Sequence, residues 1–387
     1  MTKESLLFAL VRMAVFGENP REGMAEACTP DCLEEVYTLA RSHDLAHLAA
    51  VALETLELPE CGALEAFRQA KKLAVRRYIK LDFEYVQACG ILEAAGIPYI
   101  PLKGSVIRDL YPEPWMRTSC DIDILVPEQE LDRAVAALEQ KKWTVKGTKN
   151  YHDISLFSPK GVHLELHFNI RENMEKLDPM LDKVWEYSSL LPGKRWEYRQ
   201  SPEYLMFHVL AHMSYHFLRG GCGIRAMVDI RLIKDHLGYD EQMLRKLCRA
   251  CGLETFYGNI LQLADVWFGN ENHNDATRAM EQIIVSGGTY GAFANAVSLR
   301  NAQAESRSRH ILRRIFMPYY KLCAEYKILE KYRWLTPFCQ VLRWLRLLNP
   351  KKLKHSLREL ALTRQSRGEQ LSETQELLKR IGLYEFE

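Results

Sequence analysis

Apolar residues recur at helical intervals through the first part of the chain. Leu33, Val36, Leu39 and Ala40 share one helix face, and the stretch from Leu64 to Leu92 keeps apolar positions at such intervals with no proline. Residues 1–92 are therefore expected to form a helical region. The texture then changes. Gly96-Ile-Pro-Tyr-Ile-Pro-Leu102 is short, rich in β-formers and bounded by turn formers, which predicts a buried strand. A helix from Ser105 to Tyr111 follows, ended by Pro112 and Pro114. Asp121 to Val126 reads as a strand stopped by Pro127. Glu128 to Gln140 reads as an amphipathic helix with Leu131, Val135, Ala136 and Leu138 on one side. Further strands are expected at 143–146, 153–157 and 162–168.

Beyond Pro202 the period returns to that of helices, over 204–218, 224–236, 241–251 and 255–268. Gly287 and Gly288 mark a break, and Pro318, Pro337 and Pro350 punctuate what remains. The expected class is α+β: a mixed sheet with flanking helices in 93–200, between a helical region at 1–92 and helical segments at 201–300 and 301–387. The 201–300 segment is expected to complete a cleft.

Two acids stand out against this pattern. Asp121 and Asp123 sit two apart on a strand and point to one face, while Ile122, Ile124 and Val126 point to the other. Two carboxylates side by side repel unless a cation lies between them. Oxygen ligands at this spacing suit magnesium, which also takes phosphate oxygens and water. Two exposed acids on an edge strand would look similar, but the apolar run after Asp123 argues for a central strand. Val162-His-Leu-Glu-Leu-His-Phe168 alternates strictly, so His163, Glu165 and His167 share a face. On a neighbouring strand, Glu165 would supply a third acid. A solvent-facing amphipathic strand has the same pattern.

Lys103-Gly104-Ser105 lies at a strand-to-helix turn, where backbone N–H groups and a lysine can hold phosphate. Arg117 offers a planar fork for phosphate or, equally, a structural partner for the acids. His208, His212 and His216 recur every four residues, as do Arg225 and Asp229 in the next helix. His167, His212, Arg225 and Asp229 are candidates to line the cleft. An interhelical hydrogen-bond network is the competing reading.

Composition adds limits. The chain has 387 residues, 47% hydrophobic and 26% charged, as in ordinary globular proteins. No apolar run is long enough to span a bilayer, and no signal peptide is evident, so a cytoplasmic protein is expected. Ten cysteines are scattered. The Cys248-Arg-Ala-Cys251 spacing has no second pair at zinc-ribbon distance, so it reads as helix-packing thiols. The net charge of +2 hides an asymmetry: residues 301–387 hold 18 Lys+Arg against 9 Asp+Glu, a balance of +9 that leaves −7 upstream. That tail, with Trp334 and Trp344 among Arg333, Arg343 and Arg346, is a surface for an acidic partner, nucleic acid or a membrane. Solvated helix faces are the preferred reading.

The order Ile100-Pro-Leu-Lys-Gly104, Leu110-Tyr111, Arg117, Asp121-Ile-Asp-Ile-Leu-Val126, Leu164-Glu-Leu-His167 resembles the bacterial family of uncharacterised nucleotidyltransferases, within the superfamily typified by DNA polymerase β. The resemblance covers about 90–240 of the sequence. It implies that Asp121, Asp123 and Glu165 bind Mg2+ or Mn2+, and that Gly104 and Ser105 hold the phosphates of an NTP. The gap from Gly104-Ser105 to Asp121 exceeds that of many superfamily members. A haloacid-dehalogenase phosphatase or an Asp-x-Asp glycosyltransferase leaves Glu165 unexplained. The expected activity is transfer of an NMP to an acceptor hydroxyl on a small molecule, protein or RNA. The alternative is a nucleotide-binding regulatory or antitoxin-like module without turnover.

Overall fold

The computed structural model describes residues 1–289, 291–303, most of 316–347, and 368–386. The helices are α1 (Lys3–Phe16), α2 (Met24–Ala27), α3 (Pro30–Ser42), α4 (Ala46–Leu53), α5 (Gly62–Ala95), α6 (Gly104–Ile107), α7 (Leu131–Gln140), α8 (Asp178–Leu181), α9 (Pro202–Leu218), α10 (Ile224–His236), α11 (Glu241–Ala250), α12 (Glu254–Phe268), α13 (Asp275–Gly287), α14 (Phe293–Gln303), α15 (Ile328–Lys331), α16 (Thr336–Leu347) and α17 (Gly368–Arg380). The strands are β1 (Ile100–Pro101), β2 (Asp121–Leu125), β3 (Thr144–Val145), β4 (Asp153–Phe157), β5 (His163–His167), β6 (Ser188–Leu190) and β7 (Tyr198–Gln200). The fold is α+β.

Local chemistry sets the helix ends. The Thr29 hydroxyl accepts from Cys32 N–H at 3.3 Å, with Pro30 at the first helical position of α3. Ser201 and Pro202 start α9 in the same way. Gly96, at φ +66°, caps the 34-residue α5 in the left-handed region and turns the chain into the sheet.

The main sheet has the order β1-β2-β5-β4-β3. Strands β2 and β5 are parallel neighbours in its middle, with Asp121 opposite His163, Asp123 opposite Glu165 and Leu125 opposite His167. The other pairs are antiparallel. One face is apolar: Ile122, Ile124, Leu164 and Leu166 pack with Leu81, Ala88 and Leu92 of α5 and with Leu131, Ala134 and Leu138 of α7. Ala134 takes the place expected for Ala136, which is exposed, because the α7 stripe runs i, i+3, i+7 from Leu131.

A second core joins the beginning of the chain to its later helices. Phe8 of α1 stacks on Trp267 of α12 with ring centroids 4.6 Å apart. Arg12 donates through Nε to the Trp267 carbonyl at 2.5 Å. Residues of α1, α3, α4, α9, α10, α11 and α12 share this core, and Cys248 and Cys251 are buried in it as thiols.

Several elements differ from expectation: the strand expected over 96–102 pairs only at Ile100–Pro101, the helix expected over 105–111 is α6 followed by a 3-10 turn at Arg108–Leu110, and α8 was not expected. The hairpin β6–β7 was not anticipated, since Ser188-Ser189-Leu190 lacks β-branched residues. Pro337 lies within the first turn of α16 instead of breaking the chain there, a position where a missing N–H costs nothing. Pro318 and Pro350 lie outside the described residues. Among the described residues, no helix is long and apolar enough to cross a membrane. In the tail, Trp334 is exposed, Trp344 packs edge-on against Phe316, and the Arg333 guanidinium lies 4.7 Å from the Tyr319 ring centre. The Arg346 side chain lies outside the described residues.

Candidate active site

The polar face of β2 and β5 brings Asp121, Asp123 and Glu165 together, because register pairs Asp123 with Glu165 and residues two apart share a face. Two histidines complete the row. His167 Nε2 is 3.1 Å from Asp123 Oδ1 and 3.6 Å from Glu165 Oε2. His163 Nδ1 is 4.0 Å from Glu165 Oε1, while its Nε2 meets the Ser155 hydroxyl at 3.1 Å. Asp121 with His163 and Glu165, and Asp123 with Glu165 and His167, each place three donor atoms within 4.8 Å of one another. A third such group, His152, Asp153 and His167, shares His167 with the second and takes Asp153 from the start of β4.

The charges respond to this crowding. Burial and then the neighbouring Asp123 raise the Glu165 carboxyl to about 7. Burial and Asp123 also raise Asp121, against the opposing pull of His163 and Arg225. Burial works to raise Asp123 as well, but the His167 hydrogen bond and the charges of His167 and Lys103 outweigh it and hold it low. His167 is raised in turn, because its bond to Asp123 overrides its burial. The site therefore carries one firmly ionised acid, one raised acid and one acid titrating near neutrality.

Lys103 is half-buried at the strand exit. Burial lowers its ammonium below the ordinary value, while the charges of Glu172, Asp123 and Glu165 pull the other way. Glu172 is held well below the usual carboxylate range: burial opposes this, but the His212 hydrogen bond at 2.6 Å and the charges of His212 and Lys103 prevail. Burial and Lys103 lower His212, and burial lowers His216 to about 3. His208 is buried and hydrogen-bonded to Gln200. The α9 histidine face thus adjoins Lys103 and Glu172 beside the acid face.

Arg117 is buried and grips Asp229 with both arms of its fork, Nε to Oδ1 at 2.9 Å and Nη2 to Oδ2 at 2.8 Å. The Tyr111 hydroxyl adds a third bond to Asp229 at 2.8 Å. Gly104 packs beneath this guanidinium, where an added Cβ would meet Arg117 Nη1 at 2.8 Å. Ser105 is buried, and its backbone N–H donates to the Leu102 carbonyl at 3.0 Å. Arg108 Nε donates to the Gly104 carbonyl at 2.9 Å and so fixes the turn from below. Arg225 does not reach the acids by a hydrogen bond. It donates to the Thr118 carbonyl at 2.8 Å and to Asp44 at 3.3 Å, tying α10 and the loop after α3 to the segment that enters β2.

Residues 31–269 match the model of a family described as uncharacterised nucleotidyltransferase. The chain belongs to this family. No curated protein matches the chain. Among the described residues, the sheet face carrying Asp121, Asp123 and Glu165 is a candidate cation-binding cluster. Sequence reasoning overlooked Glu172, Arg108, His152 and Asp153. Glu172 and Arg108 carry no motif. Asp153 opens a strand that alternates weakly, and its pairing with His152 at 2.8 Å appears only in three dimensions.

Proposed function

We propose that the protein moves a nucleoside monophosphate from an NTP to an acceptor hydroxyl and releases pyrophosphate. The observation that carries this reading is the pairing of Asp123 with Glu165 across parallel β2 and β5, with Asp121 beside them on the same face. The donor set fits Mg2+ or Mn2+, which would be held by Asp121, Asp123 and Glu165. Such an ion, when bound, neutralises phosphate charge and polarises the α-phosphoryl group.

The remaining work falls to the chain. In this reading Lys103 and the Gly104-Ser105 turn hold the triphosphate, and Gly104 has no side chain because Arg117 packs where one would stand. Arg117, expected to hold phosphate with its fork, spends both arms on Asp229 and instead braces the turn through its packing on Gly104. The acceptor oxygen attacks the α-phosphorus, the bond from that phosphorus to the oxygen bridging to the β-phosphate breaks, and pyrophosphate leaves with the electron pair. Glu165 takes the hydroxyl proton or positions the acceptor. His167, His212, Arg225 and Asp229 border or brace the cleft. An acidic acceptor would also meet the positive charge of residues 301–387.

The experiment is incubation with labelled NTPs and a cell extract, followed by mass spectrometry of whatever gains the label, with a pyrophosphate assay in parallel. Label on one species with pyrophosphate release supports transfer. NTP binding with no release across many acceptors supports a binding module instead.

A further inference from the structure

The histidines of the acid face have no role in a three-carboxylate site. In β5 they flank Glu165 at the two positions that share its face, His163 opposite Asp121 and His167 just beyond the Asp123 pairing. Each carboxylate pair thus has one imidazole beside it. We infer that His163 and His167 are metal ligands, and that the site selects a first-row transition-metal dication such as Mn2+ over Mg2+. The inference rests on the proposed cation site and deepens it by naming the ion class.

Three observations support it. The first is spacing. At metal–ligand bonds of about 2.1 Å, adjacent donors in a tetrahedral or octahedral shell lie about 3.0–3.4 Å apart. His167 Nε2 lies 3.1 Å from Asp123 Oδ1 and 3.6 Å from Glu165 Oε2, and these three donor groups come within 4.8 Å of one another, near that spacing. The second is orientation. His163 gives Nε2 to Ser155 at 3.1 Å, and Nδ1 faces Glu165 Oε1 at 4.0 Å. A metal-ligating histidine is commonly held in this way, one nitrogen on an outer partner and the other facing the ion. The third is tautomer freedom. His167 Nδ1 is buried and carries no hydrogen bond, so it can take the ring proton when Nε2 exchanges its 3.1 Å bond to Asp123 for a lone pair on an ion.

The chemistry of the donors then sets the ion. Mg2+ prefers oxygen ligands and retained water, whereas imidazole nitrogen favours the later divalent metals. Each group sets one imidazole nitrogen beside two carboxylates, with Glu165 common to both, a mixed donor set that disfavours Mg2+ relative to Mn2+, Co2+ or Zn2+.

The test uses the full-length protein and Mn2+ as probe, without nucleotide. Pulsed electron paramagnetic resonance of bound Mn2+ should show nitrogen-14 modulation from imidazole. Metal content after dialysis against equal Mn2+ and Mg2+ should favour Mn2+ at least tenfold. His163→Gln and His167→Gln should each weaken Mn2+ binding about tenfold or more, change Mg2+ binding less than threefold and reduce the nitrogen signal. If His167→Gln fails to fold, His163→Gln and the wild-type spectrum still decide. Mn2+ bound without nitrogen modulation, or Mg2+ and Mn2+ held equally, overturns the inference. Its failure is separable from that of nucleotidyl transfer: label transfer without nitrogen coupling removes only the histidine ligands, and nitrogen coupling without transfer removes only the reaction.

Discussion

Arg117 and Asp229 meet in a two-armed pair at 2.8 and 2.9 Å, with Tyr111 donating to the same carboxylate. The acid face of β2 and β5 instead gathers three carboxylates around two histidines, with Lys103 the cation that acts on Asp123 from nearby. Both clusters are largely withdrawn from water. In the first, every charge has its partner inside the fold, and the arrangement is complete as structure. In the second, negative charge is left over, and burial together with Asp123 raises Glu165 to about 7. A fold that balances one buried cluster and leaves its neighbour unbalanced marks the second as the place for a ligand.

The contrast can be broken most forcefully at the balanced cluster. Asp229→Ala leaves the Arg117 guanidinium buried without a partner and should cost about 3–5 kcal/mol, read by denaturant unfolding. A loss below about 1 kcal/mol would mean that Arg117 is free to leave Asp229, and the two clusters would no longer differ in kind.

The acid face should respond to pH instead. The Glu165 carboxyl is raised in the folded chain from 4.5 to about 7, so the fold favours its neutral form. Stability from this group is fully present below pH ~4.5 and is lost as pH rises through about 7, on the order of 2 kcal/mol after allowance for its partial exposure. Asp123 is held low, so its contribution runs the other way: present above pH ~4 and lost as pH falls below that. Glu165→Gln should flatten the fall between pH 5 and 8 in thermal melts of metal-free protein, and a bound dication should flatten it in the wild type. An unchanged slope in the variant would place the titration elsewhere.

A smaller effect joins the two clusters. Gly104→Ala puts a methyl 2.8 Å from Arg117 Nη1. The expected cost is about 1–2 kcal/mol of stability, with a weaker NTP affinity by titration calorimetry. Unaltered stability and affinity would separate the phosphate turn from the Arg117 pair.

Much of this was legible in the chain. Strict alternation in Val162–Phe168 and the Asp-Ile-Asp-Ile run placed both central strands and their shared polar face. The partner of Arg117 was not legible. Asp229 lies 112 residues away, and its helical spacing from Arg225 suggested a shared face when the two in fact serve different neighbours, Arg225 the loops at Asp44 and Thr118. Glu172 was hidden for another reason: it sits in an irregular stretch with no period to give it a direction, and it gains meaning only from His212. The β6–β7 hairpin joins Ser188-Ser189-Leu190 to Tyr198-Arg199-Gln200 with no β-branched residue, and long-range pairing of Tyr99 with Glu197 anchors it in place of β propensity.

The central claim is that Asp121, Asp123 and Glu165 form a cation-dependent nucleotidyl-transfer site. The most direct measurement is pyrophosphate release and label transfer from NTP by the wild-type protein and by the Asp121→Ala/Asp123→Ala double variant, in the same cell extract with Mn2+ or Mg2+ present. The account predicts transfer by the wild type and a loss of at least about a thousandfold in the variant, the several kcal/mol that a phosphoryl-clamping ion supplies, with the variant folded and no less stable. Equal turnover by the two proteins would contradict it.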